Sequence, residues 1–162
     1  MFKEYFLAAF IILVIKAFQS EEIHEEQVIR KLGDQYLIEL EELGIQCPEV
    51  VTAQICLETN YLTSKIYKEN NNLFGMKESS RNWDIGSKYG HANYISSAHS
   101  LLDYRDWQKD RFKDRKFKNN EEYIYALGHL FKREDGSWAR YAEDKDYEKK
   151  LNTVIQILYK NE

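Results

Sequence analysis

The sequence has few residues that would either break the chain or cross-link it. It contains one proline, seven glycines and two cysteines in 162 residues, and no internal repeat or low-complexity tract. So few helix breakers argue against long linkers. Cys47 and Cys56 lie on either side of Pro48, where a helix would hold their Cα atoms further apart than the roughly 7 Å that a disulfide tolerates. We therefore predict no disulfide, and no metal site, because neither cysteine has ligand companions at useful spacing. Cys56 is interpreted as a small core residue.

A strong excess of charge is also missing. The net charge is −4, which gives no reason to expect nucleic acid as a partner. A composition of 43% hydrophobic and 31% charged residues is typical of a globular protein, and the length suits one core. We predict a single domain over residues 21–162.

A hydrophobic run long enough to cross a membrane comfortably is absent from the start of the chain. Phe6 to Ile15 is an uncharged apolar run of ten residues that follows Lys3, the length of a signal-peptide core. Cleavage is expected after Ala17 or Ser20. We predict that residues 1–20 are a signal peptide or an uncleaved N-terminal membrane anchor with transient membrane association. The protein would then be exported to the periplasm, the cell envelope or the medium.

What the sequence does contain is an acid set into an apolar helix surface. Pro48 is a good first helical residue, and no breaker follows before Tyr61. Glu58 shares a side of this predicted helix with an apolar row made of Val51, Ile55 and Leu62. Most helical glutamates are solvated, but desolvation here would raise the pKa of Glu58, as a general acid working near neutral pH requires.

A bend and a small β structure follow this helix. A short helical stretch to about Glu69 leads into consecutive asparagines, which favour local side-chain to backbone bonding. We predict that Leu73 to Lys77 is the first strand of a hairpin, and that Gly75 marks a bulge or a close backbone approach. The stretch from Glu78 to Ile95 has no helical period and is interpreted as a short β-hairpin or a three-stranded flap.

The pattern A-Q-x-x-L-E-[ST], followed about a dozen residues later by N-N-L-F-G-[MI]-K, resembles the glucosaminidase domains of glycoside hydrolase family 73. These are peptidoglycan-cleaving modules of bacterial autolysins, flagellar muramidases and phage lysins. The matching residues are Ala53, Gln54, Leu57, Glu58, Thr59, Ser64 and Asn71 to Lys77. The resemblance implies a mainly α, lysozyme-like domain with a small β-hairpin flap forming one wall of the cleft. It also implies Glu58 as proton donor, no cofactor or metal, and substrate contacts from Gln54, Asn71, Asn72, Phe74 and Gly75.

The family's flap commonly carries a second carboxylate, and here the match is incomplete. Between Lys77 and Ser96 the acids are Glu78 and Asp84. Asp84 is the better candidate for a base that orients water, although an aspartate in a turn is often structural. Residues 91–96 resemble the motif Y-x-x-Y-x-S with His91 at the first tyrosine. Tyr94 matches the second, where a phenol would contact the sugar or the attacking water or would pack in the core.

The remaining chain is predicted to be helical, apart from a turn through residues 135–137. The expected helices run from Glu25 to Leu43 with Gly44 as C-cap, from Ser96 or Ser97 to Phe112, from Asn119 or Asn120 to Phe131, and from Lys145 to Lys160. Ahead of the last one, residues 138–147 resemble the closing motif Y-A-T-D-x-x-Y, with Glu143 replacing the threonine. This resemblance implies that Tyr141 lies near the cleft as a catalytic residue, that Asp144 caps the last helix, and that Trp138 contacts substrate. Tyr147 is expected to pack the last helix against the core.

These observations predict hydrolysis of the β-1,4 bond after N-acetylglucosamine in peptidoglycan glycan strands. If Asp84 activates water opposite Glu58, the two carboxyls should stand about 6.5–9.5 Å apart and the product should be inverted. Otherwise the 2-acetamido group of the substrate would assist, with Tyr94 or Tyr141 orienting it. The alternatives are a lytic transglycosylase, which releases a 1,6-anhydro sugar, and an exported glycan-binding module without catalysis. The basic stretch 109–118 would hold stem-peptide carboxylates or be a solvated helix end.

Overall fold

The computed structural model describes residues 27, 29–129, 131–132, 138–142 and 144–159, with only the backbone at 131–132 and 138–139. The predicted export segment 1–20, the predicted turn at 135–137 and the side chain of Trp138 lie outside the described residues. In the described part, no helix is long and apolar enough to cross a membrane.

The domain is mainly helical with a very short hairpin in the flap region, as predicted, and it has a second very short hairpin that was not predicted. The helices are α1 over 29–42, α2 Pro48–Glu58, α3 Lys65–Asn70, α4 Ser97–Phe112, α5 Asn120–Gly128 and α6 Tyr147–Tyr159. The strands are β1 Ser87–Lys88 paired antiparallel with β2 His91–Ala92, and β3 Phe131–Lys132 paired with β4 Trp138–Ala139. The β1–β2 hairpin turns at Tyr89 and Gly90, whose φ angles of +56° and +73° are those of a tight two-residue turn.

Helix α2 is the centre of the fold. Its residues from Val50 to Cys56 are all buried, and α5 and α6 both pack against it. Burial of each large apolar side chain in such a helix stabilises the fold by about 1.5–3 kcal/mol. Cys56 is one of these core residues, as predicted, and both cysteines are free. Because α2 is enclosed on nearly every side, the residue at its carboxyl end is held rigidly.

Helix α2 ends at Glu58, three residues before the predicted end at Tyr61. Asn60, Tyr61 and Leu62 have φ angles of +47°, +53° and +61° and leave the helix. The Thr59 hydroxyl donates to the Ile55 carbonyl at 2.6 Å and accepts from the Leu62 amide at 2.8 Å. These local bonds compete with further helical turns. Glu58 is therefore the last residue of α2, where the chain turns away and leaves its carboxyl beside open space.

Other predicted boundaries shift for similar local reasons. Gly44 caps α1 as predicted, with φ +68° and the Ile45 amide donating to the Leu40 carbonyl at 3.0 Å. The prediction that α5 reaches Phe131 is wrong, because the helix ends at Gly128 and extended backbone follows at His129. Helix α6 begins at Tyr147 rather than Lys145, after Asp144 accepts from the Asp146 amide at 2.9 Å.

The prediction that Leu73 to Lys77 form a strand is also wrong. This segment is irregular, and the Asn72 side chain takes the place of a neighbouring strand. Its Oδ1 accepts from the amides of Phe74 and Met76 at 3.2 and 3.1 Å. Its Nδ2 donates to the carbonyls of Met76 and Ala92, both at 2.9 Å. An amide side chain with four backbone partners satisfies the segment without a strand ladder.

Candidate active site

A cavity of about 400 Å³ opens where the end of α2 meets the start of α6. Two aromatic rings and two carboxyls of its wall come from residues of the sequence motifs. The lining residues are Leu57, Glu58, Tyr141, Ala142, Asp144, Tyr147 and Lys150. Asp144 and Lys150 form an ion pair with each other at the rim. Glu58 is therefore the carboxyl of this wall that has no cationic partner among the contacts described.

Glu58 is half-buried, and its two oxygens have different surroundings. Oε1 accepts a hydrogen bond from the Tyr147 hydroxyl at 3.1 Å. Oε2 faces Gly75, where an added Cβ would lie 3.3 Å away. Burial raises the pKa of Glu58, and the hydrogen bond from Tyr147 lowers it by a smaller amount. Its place at the carboxyl end of α2 also disfavours the ionised form. The predicted raised pKa is confirmed.

Gly75 brings the backbone close to the acid, as predicted. Its φ of +63° is in the left-handed region that favours glycine. The ring of His91, from β2, lies 2.9 Å from the Gly75 carbonyl through Nδ1. A larger residue at this position would combine backbone strain with a methyl group against Oε2. Glycine here avoids both effects.

Tyr147 is the site residue that sequence reasoning missed, because its position suggested only packing of the last helix. Its hydroxyl donates to Glu58 and accepts from Gln54 Nε2 at 3.2 Å. Burial raises the pKa of Tyr147, and the neighbouring Glu58 carboxyl acts in the same direction. The phenol is therefore neutral and able to donate across the whole physiological range. The available signal was the last tyrosine of the closing motif.

Tyr141 lies in the cavity wall beside Glu58, near the cleft as expected. Its ring centre is 5.8 Å from that of Tyr147 and 5.3 Å from that of Trp107. Its hydroxyl donates to the Phe74 carbonyl at 3.4 Å, at the upper limit for a hydrogen bond. Burial raises the pKa of Tyr141 well above its usual value. The ring offers an aromatic surface and a weakly held hydroxyl to a ligand.

The residues predicted to contact substrate from the two main motifs lie mostly beneath the wall. Gln54, Asn72 and Phe74 are 0%, 1% and 3% exposed. Phe74 stacks on Tyr104 with ring centres 4.0 Å apart. Asn71, with φ +52°, donates to the carbonyl of Tyr94 at 2.9 Å. None of these four residues lines the cavity.

Tyr94 and Asp84, predicted as catalytic, both hold the flap, which we define as residues 78–95. Tyr94 is 1% exposed, and its hydroxyl donates to Asp103 at 2.6 Å. Asp84 accepts from the amides of Ser79 and Gly86 at 3.3 and 3.1 Å. The structure does not bring either residue into the cavity wall with Glu58. Asp84 occupies the structural role that aspartates commonly have in turns.

A metal site needs several ligand side chains close together. Among the residues that the structure describes, no group of three or more His, Cys, Asp or Glu side chains is arranged to hold an ion. The Nδ1 atom of His91 is within hydrogen-bond distance of the Gly75 carbonyl. The arrangement instead suits acid chemistry: a carboxyl with a raised pKa, a neutral tyrosine donor and an aromatic wall.

Comparisons with known proteins identify the family and the fold. The family model of the glucosaminidases, described as mannosyl-glycoprotein endo-beta-N-acetylglucosaminidase, matches residues 33–160. The fold is similar to the crystal structure of the catalytic domain of the autolysin Auto from Listeria monocytogenes, with a TM-score of 0.53 and 24% identity over 82% of each chain. No curated protein is significantly similar in sequence. Because the family model covers most of the chain, the protein belongs to the glucosaminidase family and is a glycoside hydrolase.

Proposed function

We propose that this protein cleaves the β-1,4 bond after N-acetylglucosamine in peptidoglycan, with Glu58 as general acid. The observation that carries the proposal is the Glu58 carboxyl itself, half-buried in the cavity wall with a raised pKa. Membership of the glucosaminidase family supports the choice of sugar. The similarity to an autolysin catalytic domain supports a cell-wall glycan as substrate.

In the first step, the protonated Glu58 donates its proton to the glycosidic oxygen while the bond from C1 to that oxygen breaks. A positioned acid of this kind contributes about 10²- to 10⁴-fold to the rate. Tyr147 then stabilises the carboxylate that forms by donating to Oε1. Water later attacks C1 and returns its proton to Glu58. The cycle leaves the acid as it began.

The positive charge that develops at C1 needs a partner on the opposite face of the sugar. Both oxygens of Asp84 accept from backbone amides in the flap, which does not favour it as a base for water. We therefore favour the route in which the carbonyl oxygen of the substrate's 2-acetamido group attacks C1, which retains configuration. We propose that Tyr141, which lines the cavity together with Glu58, orients that group.

A lytic transglycosylase is a second candidate, because that reaction also needs only one carboxylate. In a lytic transglycosylase, Glu58 would donate a proton and then remove one from the sugar's own 6-hydroxyl, which attacks C1. The product would be a 1,6-anhydro sugar and would be one water lighter. The two reactions use the same acid and differ only in the attacking oxygen.

Cell-wall glycan lies outside the cytoplasmic membrane, so the proposed substrate requires export. We propose that residues 1–20 direct it, either as a cleaved signal peptide or as an anchor. The basic stretch over 109–118 comprises the last turn of α4 and the residues after it, of which 113–116 are exposed. We propose that it attracts acidic stem peptides; the alternative is a solvated helix end.

The test is incubation of the protein lacking residues 1–20 with purified peptidoglycan, followed by borohydride reduction and mass analysis of the released sugars. Glu58→Gln serves as the paired variant. We expect reduced N-acetylglucosamine ends from the unmutated protein and at least a 100-fold lower yield from Glu58→Gln. Anhydro ends would select the transglycosylase. Intact glycan from both proteins would overturn the proposal and leave a binding module.

A further inference from the structure

A continuous line of hydrogen bonds, buried in its middle and partly buried at both ends, crosses the core and ends at Glu58. It begins at the backbone of Gln46, in the loop between α1 and α2, and passes through side chains of four helices. We call its side chains the core network; they are Gln108, Tyr123, Tyr104, Gln54 and Tyr147. The first four are 4%, 0%, 0% and 0% exposed, so protein partners rather than solvent satisfy them.

One end of the core network is fixed by the backbone. Gln108 Oε1 accepts from the Gln46 amide at 2.8 Å, and Gln108 Nε2 donates to the Gln46 carbonyl at 3.0 Å. A backbone amide can only donate and a carbonyl can only accept, so the orientation of the Gln108 side chain has no ambiguity. Its Nε2 also lies 2.9 Å from the Tyr123 hydroxyl and must donate to it.

The direction of donation at Gln108 fixes the direction of donation in each following hydrogen bond. The Tyr123 hydroxyl, having accepted from Gln108, donates to the Tyr104 hydroxyl at 2.7 Å. Tyr104 then donates to Gln54 Oε1 at 2.5 Å, which turns Gln54 Nε2 towards Tyr147 at 3.2 Å. The opposite direction would leave the buried Tyr123 proton without an acceptor among these groups, at a cost of about 1–3 kcal/mol.

We propose that the core network obliges Tyr147 to donate to Glu58 Oε1 and thereby places the acid's transferable proton on Oε2. Because the Gln54 amide donates to the Tyr147 oxygen, Gln54 cannot take the phenol proton, and that proton is directed to Oε1 at 3.1 Å. In a protonated carboxyl the carbonyl oxygen is the better acceptor. The proton therefore lies on Oε2, the oxygen that faces Gly75.

The four buried members of the core network are then positioning residues. They touch no substrate and act on the reaction only through Tyr147. This inference rests on the proposed role of Glu58 as acid, but the hydrogen-bond direction can be measured without activity. If Gln54 is released, its amide can reverse, accept from Tyr147 and draw the phenol proton away from Glu58.

The test measures the pKa of Glu58 directly, by NMR of protein labelled with ¹³C at the glutamate carboxyls, with Glu58→Gln to assign the signal. We expect Tyr104→Phe to raise the pKa of Glu58, because the ionised carboxylate loses its donor. Tyr147→Phe should raise it at least as much. The double variant should match Tyr147→Phe alone, since Tyr104 acts only through Tyr147.

Tyr36→Phe is the matched control. Tyr36 is also a buried tyrosine, 5% exposed, and lies outside the core network. Its replacement should leave the pKa of Glu58 unchanged. The other groups facing Glu58 are Tyr141 and Asp144 from the segment before α6, Lys150 from α6, and His91, which reaches the Gly75 carbonyl. None of these is altered in any variant.

A pKa of Glu58 in Tyr104→Phe equal to that of the unmutated protein would overturn the proposal. If Tyr104→Phe does not fold, Tyr123→Phe gives the same test one hydrogen bond further from Glu58. We expect a smaller rise of the Glu58 pKa in that variant. The pH profile of hydrolysis supplies a second readout, since the limb that falls with rising pH should move upward with the Glu58 pKa. A rise in the NMR pKa in a protein without hydrolysis would instead uphold the network and overturn the proposed function.

Discussion

At the scale of single residues, the carboxyl of Glu58 is held where its charge is costly. Burial raises its pKa, and Tyr147 offsets part of that rise. Between the ordinary glutamate pKa of about 4.3 and the raised value, the folded protein binds more protons than the unfolded chain. The free energy of unfolding contributed by this group therefore falls as the pH rises through that window.

Replacing Glu58 should consequently stabilise the protein at neutral pH. We expect Glu58→Gln to have a higher Tm than the unmutated protein at pH 7, because the neutral amide has no charge to desolvate and can still accept from Tyr147. The difference should shrink towards pH 3, where both side chains are neutral. Thermal unfolding across this range measures it, with the exposed Glu78→Gln as control. A lower Tm for Glu58→Gln at pH 7 would contradict the account.

Gly75 allows a second test at the same scale, because Gly44 has nearly the same backbone angle without the acid beside it. Their φ angles are +63° and +68°, and a Cβ at Gly44 would meet nothing within 4 Å. We expect each change to alanine to lower the free energy of unfolding by about 1–2 kcal/mol. Only Gly75→Ala should also lower the rate of glycan hydrolysis. Equal activity of the two variants would show that the space beside Oε2 is not used.

At the scale of elements, the flap is fastened to α4 by a buried ion pair. Asp103 is fully buried and accepts from Arg81 Nε at 2.6 Å and from the Tyr94 hydroxyl at 2.6 Å. The Arg81 side chain is 19% exposed. Together with the amide of Asn72, these contacts hold irregular backbone in place where no long strand does so.

Removal of the Asp103 carboxylate should loosen this attachment. We expect Asp103→Ala to lower the free energy of unfolding by about 3 kcal/mol, because Arg81 and Tyr94 lose their shared acceptor. Asp110→Ala, an exposed position on the same helix, should change it by less than about 0.5 kcal/mol. Urea denaturation of both variants makes the comparison, and equal losses would show that the ion pair does not hold the flap.

The same elements show what the sequence could predict. Helices α1 and α4 and the central, enclosed character of α2 follow from apolar spacing and from caps that lie next to them in the chain. Thr59 ends α2 by bonding its own neighbours, a competition that periodicity does not report. Asn72 bonds Ala92, which is twenty residues away, so the false strand prediction at Leu73 to Lys77 could not be corrected locally.

The candidate site, like the fold, could be predicted from the sequence only in part. Glu58, Gly75 and Tyr141 were found from motifs, whereas Tyr147 was assigned to packing because its distance from Glu58 is 89 residues in sequence. Tyr94 and Gln54 were expected to face substrate, yet their polar groups bond Asp103 and the core network. Burial of a polar residue depends on partners in other elements, and a single sequence does not specify them.

At the scale of the whole molecule, the fold is held by packing and polar networks rather than by covalent links. Both cysteines are free, and burial raises the pKa of the Cys47 thiol to about 11 and that of Cys56 to about 12. We expect the Tm to be the same with and without reductant. The thiols should react slowly with a disulfide reagent in the folded protein and quickly in guanidinium. A Tm that falls in reductant would reveal a disulfide and contradict the structure.

The central claim, that Glu58 supplies a proton to the leaving oxygen, is tested most directly by varying the leaving group. We would compare kcat of the unmutated protein and Glu58→Gln on a glycan bond and on an aryl glycoside of N-acetylglucosamine oligomers whose phenolate leaves without protonation. We predict a loss of about 10²- to 10⁴-fold on the glycan and a far smaller loss on the aryl glycoside. Equal losses on both substrates would contradict a general-acid role for Glu58.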